Sequence, residues 1–201
     1  MALKFNKLAD HGEITLPDPP ITHLLFSTTK LAWLFAIIRI YLGYDWVTAS
    51  LHKIGDPNWV QTGEALKGFW VKAVAIPEKG SPAIAFDWYR SFIQFLIDTG
   101  SYSWFGKLIA YGELLVGVGL IVGAFVGIAA FFGALMNWNF IMAGAASSNG
   151  LLFTLAIILM LAWKVAGYYG LDYYLLPLVG TPWGKNRQTP QTPAPHAPMP
   201  V

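Results

Sequence analysis

The stretch LAWLFAIIRIYLGYDWVTASLHK, residues 31–53, decides how the rest of the chain is read. It is long enough to cross a hydrocarbon core, which takes about 20 residues at about 1.5 Å each. Yet it carries Arg39 and Asp45 inside it. An arginine at the centre of a membrane helix costs about 2.5–3.5 kcal/mol on insertion scales, so it faces protein or water and has a partner. At helical spacing Arg39, Gly43, Trp46, Ser50 and Lys53 share one face, and Tyr41, Asp45, Thr48 and His52 share another. Arg39 and Asp45, six positions apart, point about 120° away from each other and lie about 9 Å apart along the axis. The partner of Arg39 therefore comes from another helix.

Composition agrees with a membrane setting. Of 201 residues, 55% are hydrophobic and 12% charged, against about 25% charged in soluble domains. A formal net charge of +2, with no basic run interleaved with aromatics, sets nucleic acid aside as a partner. Cysteine is absent, so this chain supplies no disulfide, no thiolate zinc or iron–sulfur ligand and no persulfide. No metal site is expected, and redox chemistry would need a quinone, another bound cofactor or a partner. A bis-histidine haem is not expected either, because His52 is the only histidine close to a span. The nine Trp and nine Tyr read as interfacial anchors.

Residues 1–29 are polar and punctuated by proline, contain His11 and His23, and show no cleavable signal peptide. Residues 54–103 are too long for a structureless connection. Asp56-Pro57 and Ser81-Pro82 each read as a helix start. Behind the first, Trp59, Gly63, Leu66, Trp70 and Ala73 recur at helical spacing; behind the second, Phe86, Tyr89, Ile93 and Leu96 form a stripe closed by Gly100. Neither segment holds an apolar run of spanning length, so both are expected as amphipathic helices in the plane of the interface.

Residues 104–146 are almost unbroken apolar, and a single helix would be about 60 Å long, so the chain must fold back, with the turn placed near 124–128 by Gly119, Gly123 and Gly127. The same glycines allow close packing inside that hairpin or against a second copy. Residues 150–169 read as a fourth span with Lys164 at its far end, followed by a short interfacial segment and a Pro-rich tail over 184–201 with no fold of its own. The expectation is an all-α membrane protein: a four-transmembrane-helix bundle over 30–183, with spans at about 31–53, 104–124, 128–146 and 150–169 and two interfacial helices in the first long connection. Both termini then share one side of the lipid bilayer. Lys4, Lys7, Lys30, Lys164, Lys185 and Arg187 on that side balance Lys53, Lys67, Lys72, Lys79, Arg90 and Lys107 on the other, so charge does not orient the chain.

Counting inward from opposite ends puts Arg39 and Glu113 each about 14 Å deep, with Asn137 at a similar level. A layer of these three is expected near the midplane, with Arg39 and Glu113 in salt-bridge contact, either as a structural clasp or as a site for a polar ligand head. Asp45 and His52, with Tyr41 and Thr48, either line a polar path toward the long connection or sit passively, Asp45 paired with a loop lysine and His52 at the interface. The candidate quinone or polar-ligand residues are thus Arg39, Asp45, His52, Glu113 and Asn137.

Three stretches, RIYLGYDWVTASLHKIGDPNW, YGELLVGVGLIVG, and NWNFIMAGAASSNG with AWKVAGYYGLDYYLLPLVGTPW, together resemble the DoxX/DoxD family of four-helix membrane proteins. The matching positions are Arg39, Gly43 and Lys53 in the first span and Gly112-Glu113 in the second. The NWN run and the GLDYYLLPLVGTPW ending resemble the branch labelled thiosulfate:quinone oxidoreductase-like. The resemblance implies a prokaryotic cell membrane, a cytoplasmic N terminus, and a subunit that passes electrons from thiosulfate to quinone as part of a thiosulfate dehydrogenase (quinone). In that reading Arg39 or His52 donates to a quinone carbonyl and Glu113 or Asp45 relays protons. Without cysteine the chain needs a partner subunit, docked on the long connection where Lys53, Lys67, Lys72 or Arg90 hold the anion. Two other functions compete: a non-catalytic accessory subunit of a larger respiratory or photosynthetic complex, and a small-anion carrier using Arg39.

Overall fold

A computed structural model describes residues 18–179; the Pro-rich tail and the residues before 18 lie outside them. The described residues are helical, with no strand among them. A short α1 (Pro20–Phe26), in which His23 is exposed, leads through a 3₁₀ turn (Thr29–Leu31) into α2 (Ala32–Gly55). Nothing breaks α2, because its interior holds no proline and its glycine, Gly43, is buried where a neighbour needs the space. Its buried residues include Arg39, Gly43, Trp46 and Ser50, the face expected from helical spacing, while Tyr41, Thr48 and His52 are exposed on the other.

Asp56 ends α2 and starts α3 (Pro57–Val60): its carboxylate accepts from the Asn58 N–H at 2.9 Å, with Pro57 at the first helical position. The expected continuous helix breaks at Gly63, whose φ of 75° lies in the left-handed region, and resumes as α4 (Glu64–Val74). The second connecting helix, α5 (Asp87–Asp98), begins later than Ser81-Pro82 suggested, because Arg90 reaches back to the Ile84 carbonyl and holds the preceding residues extended. Leu66, Trp70 and Ala73 of α4 and Tyr89, Ile93 and Leu96 of α5 close on each other around Ile84. This cluster continues onto Phe105 and Ala143, so the pair caps the loop-side ends of the next two helices.

α6 (Tyr102–Val122) runs antiparallel to α2 and is its main neighbour. The contact is close because Gly43 and Gly117 meet: a Cβ on Gly43 would stand 2.8 Å from the Gly117 oxygen. After a turn at 123–125 comes α7 (Val126–Met142), which packs on α8 (Asn149–Leu161). The fold-back lies within a residue or two of its expected place. Gly119 serves close packing inside the hairpin, facing Ala129, whereas Gly127 makes room for Trp163.

The last expected span differs. Instead of one helix over 150–169, α8 stops at Leu161, a single turn α9 (Trp163–Ala166) follows, and α10 (Asp172–Leu178) folds back onto the α6–α7 turn. The Leu171 and Asp172 N–H groups donate to the Val122 and Gly123 carbonyls at 3.0 and 2.7 Å, a pairing a straight helix could not reach. By length and composition, two helical segments, Thr29–Gly55 and Tyr102–Val122, are able to cross a membrane; α7 and α8 are apolar but shorter.

Candidate functional site

The α2–α6 register determines which polar groups meet. Gly43 lies against Gly117 and the Ser50 hydroxyl donates to the Ala110 carbonyl at 2.9 Å, so Arg39 sits level with residue 121 and not with Glu113. Eight residues of rise separate the two levels, about 12 Å. Helical side chains also lean toward their own N terminus, which carries Arg39 away from Glu113 and brings Lys53 back toward it. The expected Arg39–Glu113 contact is therefore replaced by two separate constellations.

At the hairpin end, the Arg39 Nη1 donates to the Leu120 and Ile121 carbonyls, both at 2.6 Å, and Nη2 donates to the Tyr169 carbonyl at 2.5 Å. These carbonyls on α6 belong to its last turn, which no intrahelical N–H satisfies. Asp172 does the reciprocal work on α7: its carboxylate accepts from the Phe125 and Val126 N–H groups at 2.5 and 2.9 Å. Burial pushes the Asp172 carboxyl above its ordinary value, opposed by those two N–H bonds and by the charge of Arg39. Both side chains are almost fully buried, at 2% and 1% exposure. Arg39 is thus a clasp for the α6–α7 turn. Asp172, which the sequence reading passed over, is the buried opposite charge across the turn, with no direct ion pair to Arg39 among the described residues.

At the loop end, Lys53 donates to both oxygens of Glu113, at 2.9 and 2.6 Å, with Glu113 1% exposed. The ammonium also lies over the rings of Trp59 and Phe140, at 5.3 and 5.9 Å. The pair borders a cavity of about 210 Å³, lined in addition by Asp45, Trp46, Asn137, Ser148 and Asn149. Three candidates from the sequence, Asp45, Glu113 and Asn137, come together here, whereas Arg39 lies about 14 residues up α2 and His52 faces outward. Asp45 does not pair with a loop lysine: no ion pair reaches it among the described residues.

Two residues beside the cavity carry unmet hydrogen-bonding capacity. Asn137 is fully buried, and neither its Nδ2 nor its Oδ1 has a protein partner; the same is true of the Trp46 Nε1. A buried polar group left unsatisfied costs about 1–3 kcal/mol, so the site favours an occupant that both accepts and donates. Trp46 was legible as part of the buried face of α2, but its role was not, because a tryptophan on an apolar face reads as packing.

Of the other loop cations, Lys67 pairs with Glu64 at 3.2 Å and Arg90 with Asp87 at 2.5 Å and with the Ile84 carbonyl, whereas Lys72 makes no ion pair among the described residues. Among the described residues no group of three His, Cys, Asp or Glu is arranged to hold a metal ion. No protein-family model, curated protein or solved structure matches this chain.

Proposed function

We propose that the chain is a four-span membrane subunit that binds a quinone head group in the polar cavity at the loop end of α2, α6, α7 and α8. The observation that carries this reading is the Asn137 amide together with the Trp46 indole N–H, both buried and both without a protein partner. A quinone accepts hydrogen bonds at two carbonyl oxygens, and its reduced form donates from hydroxyls; Nδ2 and Nε1 meet the first need and Oδ1 the second. When bound, the quinone would supply two-electron redox chemistry. The protein's part is to orient the ring and to keep a buried proton-exchanging pair, Lys53–Glu113, beside it with Asp45 on the same wall.

In this reading α7 and α8 complete the bundle despite their shortness, by tilting the bilayer boundary toward them or thinning it locally. α4 and α5 lie in the plane of the loop-side interface. Electrons reach the quinone from a partner, since the chain has no cysteine. Thiosulfate, which the DoxX/DoxD resemblance implies, is the donor to try first. The small-anion carrier is set aside because both terminal nitrogens of Arg39 already donate to carbonyls and the side chain is buried away from solvent.

A second reading, the accessory subunit, draws on α5. There Trp88, Phe92 and Phe95 face outward at helical spacing beside the buried stripe, a surface fit for a neighbouring subunit as well as for lipid. The test begins with the purified chain in lipid nanodiscs titrated with a short-tailed quinone and followed by tryptophan fluorescence. Saturable quenching that Asn137→Leu abolishes supports the quinone site. No saturable response from the chain, together with its migration only in a large assembly, favours the accessory reading.

A further inference from the structure

A second space lies on the other side of the seam between α6 and α7. It is a groove of about 460 Å³ walled by α4, α5, α6 and α7. Its polar lining groups are few: the Tyr89 hydroxyl donates to Asn139 at 3.1 Å and the Asn139 Nδ2 donates to the Leu135 carbonyl at 2.8 Å, which leaves the Trp70 indole N–H. The groove therefore offers mainly apolar contact, the reverse of the polar cavity.

The two spaces are neighbours by construction. Gly112 and Met136 line the groove, whereas the next residues, Glu113 and Asn137, line the polar cavity, and Phe140 lines both. Successive helical residues point about 100° apart, so the α6–α7 seam is the partition between them. That partition is thin. Gly112 has no side chain, and the nearest atom to the place a Cβ would take is the Met136 sulfur at 3.9 Å, the tip of a flexible thioether chain. Along α6 the groove runs from Phe105 to Val116, about 16 Å.

We infer that the groove and the polar cavity form one site for an amphipathic ligand, the head among Asn137, Trp46 and the Lys53–Glu113 pair and a long apolar tail, of isoprenoid or acyl type, in the groove, crossing the seam at Gly112. This rests on the quinone reading and adds to it: the ligand comes from the lipid phase and its tail contributes to affinity. The cap formed by α4 and α5 closes the loop end of the groove, while its flank is left to the bilayer, where Leu115 is 74% exposed.

The experiment compares a tail-less quinone with the same head carrying a ten-carbon tail, both titrated into the chain in nanodiscs, with Asn137→Leu as the measure of partitioning into lipid. After that correction, the tailed compound is expected to bind at least tenfold more tightly to the parent chain. Gly112→Leu, which fills the seam, is expected to remove that advantage while leaving the tail-less compound's affinity unchanged. Leu115→Trp at the exposed lip, which does not disturb the core, is expected to reduce it severalfold. Equal affinity of the two compounds for the parent chain, or an advantage that survives both substitutions, overturns the inference and leaves the head site standing. Failure of both compounds to bind the parent chain overturns the head site and this inference together.

Discussion

Arg39 and Asp172 stand on opposite sides of one turn: the guanidinium donates to the last carbonyls of α6 and the carboxylate accepts from the first N–H groups of α7. With Leu171 and Asp172 N–H on the Val122 and Gly123 carbonyls, and the Gly123 and Ala124 N–H groups on the Gly119 carbonyl, the turn has a partner for each carbonyl from 120 to 123 and each N–H from 123 to 126. In a low-dielectric setting each such group would otherwise cost several kcal/mol.

Removing either partner should therefore unfold the terminal end of the bundle first. Arg39→Leu, which leaves the Leu120, Ile121 and Tyr169 carbonyls without their donor, is expected to cost several kcal/mol, at about 1–3 kcal/mol for each buried group left unpaired. Arg39→Lys should recover little, because an ammonium lacks the planar fork that reaches three carbonyls. Thermal unfolding in detergent followed by circular dichroism measures this. An Arg39→Leu chain as stable as the parent would refute the clasp.

Lys53 and Glu113 make a different case. Lys53→Met leaves a carboxylate buried alone and should cost about 3–5 kcal/mol, whereas Lys53→Met with Glu113→Leu should lie within about 1 kcal/mol of the parent or above it. A double-mutant cycle reads the coupling. Additive single losses would show that the pair does not interact.

The α2–α6 contact depends on the absence of two side chains. Gly43→Ala sets a Cβ against the Gly117 backbone oxygen, which cannot move without its helix, and should destabilise by about 1–3 kcal/mol. Gly68→Ala on α4 meets nothing within 4 Å and should instead stabilise by about 0.5–1 kcal/mol, the usual helix-interior gain. Similar unfolding temperatures for the two variants would contradict the packing.

Burial pushes the Tyr89 hydroxyl from 10.0 up to about 12. Because the folded value lies above the unfolded one, the neutral form is favoured by the fold; this contribution is present in full below about pH 10 and is lost as pH rises through about 12. An ultraviolet titration of tyrosinate should show a late-titrating component that Tyr89→Phe removes. A titration curve that Tyr89→Phe leaves unchanged above about pH 11 would show that Tyr89 is not buried.

Topology is open to direct labelling, since the chain has no native cysteine. In sealed vesicles Ser27→Cys and Tyr174→Cys should react with an impermeant thiol reagent from one side, and Lys79→Cys and Ser147→Cys from the other. Reaction of Ser147→Cys from the same side as Ser27→Cys would remove α7 from the spans and leave two.

Periodicity and composition determined the helices and their inward faces. The buried side of α2 and the stripe of α5 from Tyr89 to Leu96 follow from spacing, because a helix puts residues three and four apart on one face whatever it packs against; Phe86, expected in that stripe, precedes the helix and is exposed, and the fold-back near Gly123 follows from the length of the apolar run. Tertiary structure alone decided which polar groups meet. The α2–α6 offset is set where Gly43 and Gly117 allow close approach, and a shift of two turns exchanges one ion pair for another. Asp172 joins the clasp only because the chain breaks after Leu161 and turns back, an event driven by unsatisfied carbonyls at the far end of α6 that no local sequence signal records. The cavity at Asn137 likewise belongs to no single helix. It is what remains where α2, α6, α7 and α8 meet without filling the space between them.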